Sequence, residues 1–124
     1  MANVLIAEDE TELAETLAEV LRAAGHVVRI AANGDDALHL ASDFSADLVI
    51  SDWALGNAPD GLALIDRLRA ARPALRGILM TGYPSARLRA WAEADEALGL
   101  LEKPFSLSDF RALVARVLGV TRPA

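Results

Sequence analysis

The chain contains no cysteine, which excludes disulfides, thiolate metal sites and cysteine nucleophiles together. It contains a single lysine, Lys103, against eleven arginines. Positive charge is therefore supplied by guanidinium wherever any cation serves, and the one ammonium stands apart as a compact point charge on a flexible stem. Although 53% of the residues are hydrophobic, no apolar run approaches the roughly 18 residues of a membrane-spanning helix. The N-terminal stretch MANVLIAEDE has no basic lead and turns acidic after a short apolar run, unlike a secretory signal, so a cytoplasmic protein without membrane contact is expected. No basic stripe interleaved with aromatics offsets the net charge of −6. Direct binding of DNA or RNA is not expected, and the partners should be proteins.

What is present is a regular alternation of short apolar runs and helically periodic segments. Val4-Leu5-Ile6-Ala7 is branched and bounded by charge, as a buried parallel strand is. Leu13, Leu17, Val20, Leu21 and Ala24 then recur at helical spacing, with Gly25 placed to stop the helix. The cycle repeats: strand His26 to Ala31, turn Asn33-Gly34, helix Asp35 to Phe44, and strand Asp47 to Asp52. The loop WALGNAPDG leads to a helix marked by Leu62, Ile65 and Leu68 and ending near Pro73. Strand Arg76 to Thr81, a helix from Pro84-Ser85 to about Ala94, strand Leu98 to Glu102 and a last helix from Ser106 complete the pattern, the TRPA tail being a frayed end. Five strands alternating with five helices predict a doubly wound α/β fold, with a five-stranded parallel sheet covered on both faces. Residues 1–124 are read as one domain, a usual size for a single core.

In such a sheet ligands bind beyond the carboxyl ends of the strands, where strand order reverses. The first strand ends in Glu8-Asp9, the third in Asp52, the fourth in Thr81-Gly82 and the fifth in Lys103. With the order 2-1-3-4-5, strands one and three are neighbours, and Glu8, Asp9 and Asp52 share one crevice. Their mutual repulsion calls for a hard divalent cation, and Mg²⁺ suits carboxylate oxygens. Mg²⁺ and Lys103 together bring the local formal charge to zero, so adding a phosphoryl group makes it more negative by only about one. A carboxylate can attack phosphorus to form an aspartyl phosphate, with metal and cation doing most of the stabilising. Thr81 offers a hydroxyl for a phosphoryl oxygen, and Gly82 leaves room beside it.

On these residues the chain resembles, from end to end, a response-regulator receiver domain of two-component signalling. The marks are the acidic pair in LIAEDE, the aspartate in ISDW, the threonine in MTGY and the lysine-proline in LEKPF. The resemblance implies that Asp52 is the phosphoacceptor, that Asp9 and Asp52 ligate Mg²⁺ directly, Glu8 through water and Ala54 by its carbonyl, and that Thr81 and Lys103 bind phosphoryl oxygens. It also implies a flavodoxin-like topology and a cis bond between Lys103 and Pro104. The expected donor is a histidine kinase or histidine phosphotransfer protein, and the expected output is contact with a downstream protein. The chain would be a signalling phosphoacceptor rather than an enzyme, catalysing at most its own phosphorylation and dephosphorylation. Two departures stand out. Leu100 occupies the position three before the lysine where receivers commonly carry a switching aromatic, and the loop after Asp52 is one residue longer than the common form. Leu100 leaves an alternative open, a receiver-like binding module that is never phosphorylated.

Other chemistries fit less well. A haloacid-dehalogenase-like phosphatase has a second acid two residues after its nucleophile, where this chain has Ala54, and the loop AEDETE would repel the phosphate of a flavodoxin cofactor. His26 and His39 are read as lacking a second ligand at metal spacing. Trp91, at helical spacing from Leu88, is read as packing, with a partner surface of Arg87, Trp91 and Arg111 on helix four, strand five and helix five.

Overall fold

In the computed structural model, residues 1–56 and 59–120 are described. The tail from Thr121 to Ala124, and Asn57 and Ala58 of the long loop, lie outside them. The chain runs β1 (Asn3–Ala7), α1 (Thr11–Ala23), β2 (Val27–Ala31), α2 (Gly34–Asp43), β3 (Leu48–Asp52), α3 (Gly61–Ala71), β4 (Arg76–Thr81), α4 (Ala86–Glu93), β5 (Leu98–Glu102) and α5 (Leu107–Leu118). All pairings are parallel and the sheet order is β2-β1-β3-β4-β5. The expected alternation and order are both borne out, with element ends moved by a residue or so.

Successive strand side chains point to opposite faces, and this sorts the core into two layers. Val4, Ile6, Leu48, Ile50, Ile78, Met80 and Leu101 pack with Leu17 of α1 and Phe110 and Val117 of α5. Leu5, Ala7, Val49 and Leu79 pack on the other face with Ala37 of α2, Leu64 and Ile65 of α3 and Leu88 of α4. Full burial of one such side chain stabilises by about 1.5–3 kcal/mol. The helices are unequally embedded: α1 buries Ala14, Leu17, Ala18 and Leu21, whereas α4 buries only Leu88.

Local chemistry sets the helix starts. Asn33 Oδ1 accepts the Asp36 N–H at 2.8 Å, Asp60 Oδ1 that of Ala63 at 2.8 Å, Ser85 Oγ that of Leu88 at 3.2 Å and Ser106 Oγ that of Asp109 at 2.9 Å. Each satisfies a donor that a first turn leaves unpaired. Helix α1 has no side-chain cap at its start, Glu10. It begins beside the acids that end β1. Gly25, at φ +95°, follows α1 in the left-handed region that glycine tolerates best.

Candidate functional site

Strand register builds the site. Ala7 lies opposite Ser51, so Glu8 emerges level with Asp52; Asp52 lies beside Met80, and Thr81 beside Glu102. Counting in twos, Glu8 follows Ile6, Asp52 follows Ile50 and Lys103 follows Leu101, all on the face covered by α1 and α5. The three polar side chains therefore converge as the continuation of one apolar layer. Lys103 Nζ donates to Glu8 Oε1 at 3.0 Å and stands 3.3 Å from Asp52 Oδ1. Asp9 completes the group, and Glu8, Asp9 and Asp52 each place a carboxylate oxygen within 4.8 Å of the others.

Glu8 is the buried member, its side chain 1% exposed against 13% for Asp52 and 26% for Lys103. Burial pushes the Glu8 carboxyl above its ordinary value of 4.5 and the Asp52 charge adds to this, against the Glu10 N–H that donates to Glu8 Oε2 at 3.0 Å and against Lys103. Burial alone would pull Lys103 down, but its contacts with Glu8 and Asp52 outweigh that and hold it above its ordinary 10.5. The Thr81 hydroxyl is buried and accepts the Tyr83 N–H at 3.0 Å, and the Thr81 carbonyl accepts the Lys103 N–H at 2.7 Å. Gly82 borders open space: nothing lies within 4 Å of where its Cβ would stand. Behind the acids, a Cβ on Gly61 would overlap the Asp52 carbonyl oxygen. The start of α3 approaches β3 that closely only because residue 61 is glycine.

The sequence profile of the response regulator receiver domain matches residues 4–115. The chain belongs to this family. The receiver is 31% identical over 122 residues to the DNA-binding transcriptional regulator NtrC of Azospirillum brasilense, covering 98% of this chain and 25% of that protein. It is 32% identical over 119 residues to the sensor kinase CckA of Brucella abortus, covering 94% of this chain and 12% of that one. The chain thus spans a quarter or less of the length of these two relatives. Among solved structures, the non-phosphorylated HemR receiver domain from Leptospira biflexa superimposes with a TM-score of 0.89 at 28% identity, covering 100% of this chain and 99% of that one. The sequence resemblance and the flavodoxin-like receiver topology are both borne out, and no helix among the described residues is long and apolar enough to cross a membrane.

The remaining expected positions of the receiver divide. The Lys103–Pro104 bond is cis, as expected. Leu100 is half-buried against the α2/α3/α4 layer and lines a cleft of about 470 Å³ along β5 with Arg89, Glu102 and Arg116. Arg87, Trp91 and Arg111 are not brought onto one face. The Arg87 guanidinium lies over the Trp53 ring and Trp91 Nε1 donates to Asp66 of α3, whereas Arg111 lines a groove between α1 and α5 with Val20, Leu21 and Leu118. On an eight-residue helix held by one buried leucine, the outward sense of Arg87 could not be read from spacing. His39 is also corrected: Asp35, Asp36 and His39 place ligand atoms within 4.8 Å of one another, all exposed. Their one-turn spacing on α2 was the signal for it.

Proposed function

We propose that this receiver takes a phosphoryl group from a phosphohistidine donor onto Asp52 and thereby changes its contacts with other proteins. The observation that carries the reading is the single ammonium lying between Glu8 and Asp52, in a crevice where Asp9 supplies a third carboxylate. An Asp52 carboxylate oxygen attacks phosphorus in line as the bond to the donor imidazole nitrogen breaks, and the imidazole leaves with the bond's electron pair and takes up a proton. Lys103 is placed to meet the charge that develops on the phosphoryl oxygens while remaining paired with Glu8. The Thr81 hydroxyl accepts from Tyr83, so its own hydrogen is left to donate to a phosphoryl oxygen. Open space at Gly82 admits the group.

The donor set also suits a metal. Three carboxylates whose oxygens lie within 4.8 Å of one another offer only hard ligands, and a hard divalent cation would offset their mutual repulsion. Asp9, Asp52, Glu8 and the Ala54 carbonyl are the groups that would hold Mg²⁺. When bound, Mg²⁺ would neutralise the acids and stabilise charge on the transferring oxygens. The donor would be a histidine kinase or histidine phosphotransfer protein and the output a downstream protein in the cytoplasm, with no nucleic acid contacted by this domain itself.

Acetyl phosphate with and without Mg²⁺, followed by intact mass, tests the reading. One phosphoryl group should appear only with Mg²⁺ and vanish in Asp52→Asn, whose amide is a poor nucleophile. Label without metal, or undiminished label in the variant, overturns the site assignment. No label under any condition returns the domain to an unphosphorylated binding module.

A further inference from the structure

Helix α4 has one fully buried residue, Leu88, so its placement depends on its other contacts. One of these runs to Trp53, directly after Asp52, and another to α3, which also holds Asp95 just beyond α4. At its start, the Arg87 guanidinium carbon lies 5.9 Å from the centre of the Trp53 ring. Near its end, Trp91 Nε1 donates to Asp66 Oδ1 at 3.0 Å, and just beyond, Asp95 Oδ2 accepts from Arg69 Nη2 at 2.7 Å. Asp66 and Arg69 are three residues apart on α3 and share a face. Trp53 is itself fixed: its N–H donates to the Met80 carbonyl at 2.8 Å and its carbonyl accepts the Gly61 N–H at 3.0 Å. The far end of α4 is thus tied to α3 by two polar contacts. The near end rests on an aromatic face directly after Asp52, through an exposed arginine.

These two kinds of attachment respond differently to a charge at Asp52. Phosphorylation adds about one negative charge and three strong acceptor oxygens. A guanidinium is matched to such an anion by its planar fork of donors, and that pairing is stronger than its attraction to a ring face. The neutral indole of Trp91, hydrogen-bonded to α3, has no comparable reason to move. We propose that Arg87 is a phosphoryl-sensing residue, which rests on Trp53 when Asp52 is unmodified and turns to the phosphoryl oxygens when it is modified. It draws the start of α4 toward the site, with the Trp91–Asp66 and Arg69–Asp95 contacts as pivot. This inference rests on the phosphoacceptor reading above, and it gives the receiver a route to α4 that needs no aromatic at position 100. Arg87 then acts within the domain rather than as a partner contact.

The test combines intact mass, amide exchange and the indole N–H resonances of the two tryptophans, the Trp53 signal being identified from Trp53→Phe. In the unsubstituted domain, label from acetyl phosphate with Mg²⁺ should shift the Trp53 indole signal and slow exchange over residues 84–89 by about threefold, as when a weakly held segment gains contacts. Arg87→Ala should still accept label, because Arg87 takes no part in the attack. It should show a shifted Trp53 signal before labelling and lose the exchange response. Arg87→Lys should recover a substantial part of that response, since a cation again has both resting place and anion. Label in Arg87→Ala with an exchange response equal to that of the unsubstituted domain overturns this inference alone. Absence of label in the unsubstituted domain overturns the phosphoacceptor reading and this inference with it.

Discussion

Replacing Lys103 with methionine keeps the length of the side chain and removes its charge, leaving Glu8 as a carboxylate that is 1% exposed with the Glu10 N–H as its one remaining hydrogen-bond donor among the described residues. Breaking a buried ion pair by removing one partner costs about 3–5 kcal/mol. With Lys103 itself 26% exposed, the loss should fall near the lower end of that range, about 3 kcal/mol at neutral pH. The cost belongs to ionised Glu8, so it depends on pH. The folded chain already holds the Glu8 proton more tightly than its ordinary value of 4.5, and a folded carboxyl raised in this way lowers stability as the pH climbs through and above that value. Loss of Lys103 removes an influence that lowers the Glu8 value, raising it further and steepening this decline. The difference in stability between the two proteins should be largest near neutral pH and shrink as the pH falls to about 4.5 and below, where Glu8 is protonated in both. Urea unfolding of both proteins without divalent metal, across that pH interval, measures it. A variant as stable as the parent at neutral pH, or a deficit that stays constant down to acid pH, would refute the assignment of the ammonium to Glu8.

Two further substitutions probe the same architecture. Gly61→Ala sets a Cβ against the Asp52 carbonyl oxygen, a backbone atom that cannot step aside as a flexible side chain can. It should cost at least about 2 kcal/mol, read as a lower urea midpoint, and should slow labelling of Asp52, whereas parental stability would show that α3 is free to withdraw. Lys103→Arg keeps the charge but offers a wide fork to a crevice with space for a compact ammonium. Labelling should slow and the amide-exchange response over residues 82–101 should weaken, and a variant matching the parent in both would make the lone lysine an accident of composition.

The elements and the place of the candidate residues at one edge of the sheet were legible because both depend on short-range pattern. Period-two and period-3.6 repeats are local, and in a parallel doubly wound sheet they place Glu8, Asp9, Asp52, Thr81 and Lys103 at the same edge whatever the details of packing. The start of α5 at Ser106 was likewise readable, because the capping bond to Asp109 spans three residues. Packing between elements distant along the chain decided the rest. Glu8 and Lys103 are 95 residues apart, and neither the burial of Glu8 nor its pairing with the ammonium follows from strand order alone. The close approach of Gly61 to Asp52 depends on the angle at which α3 enters. Arg87 and Arg111, both arginines on helices, were indistinguishable in sequence. The first lies over the Trp53 ring, while the second lines the groove beside α1. A repeat pattern states which side of an element is apolar. Which neighbour each polar group on its margin meets is set by interatomic distances that exist only once the layers have closed.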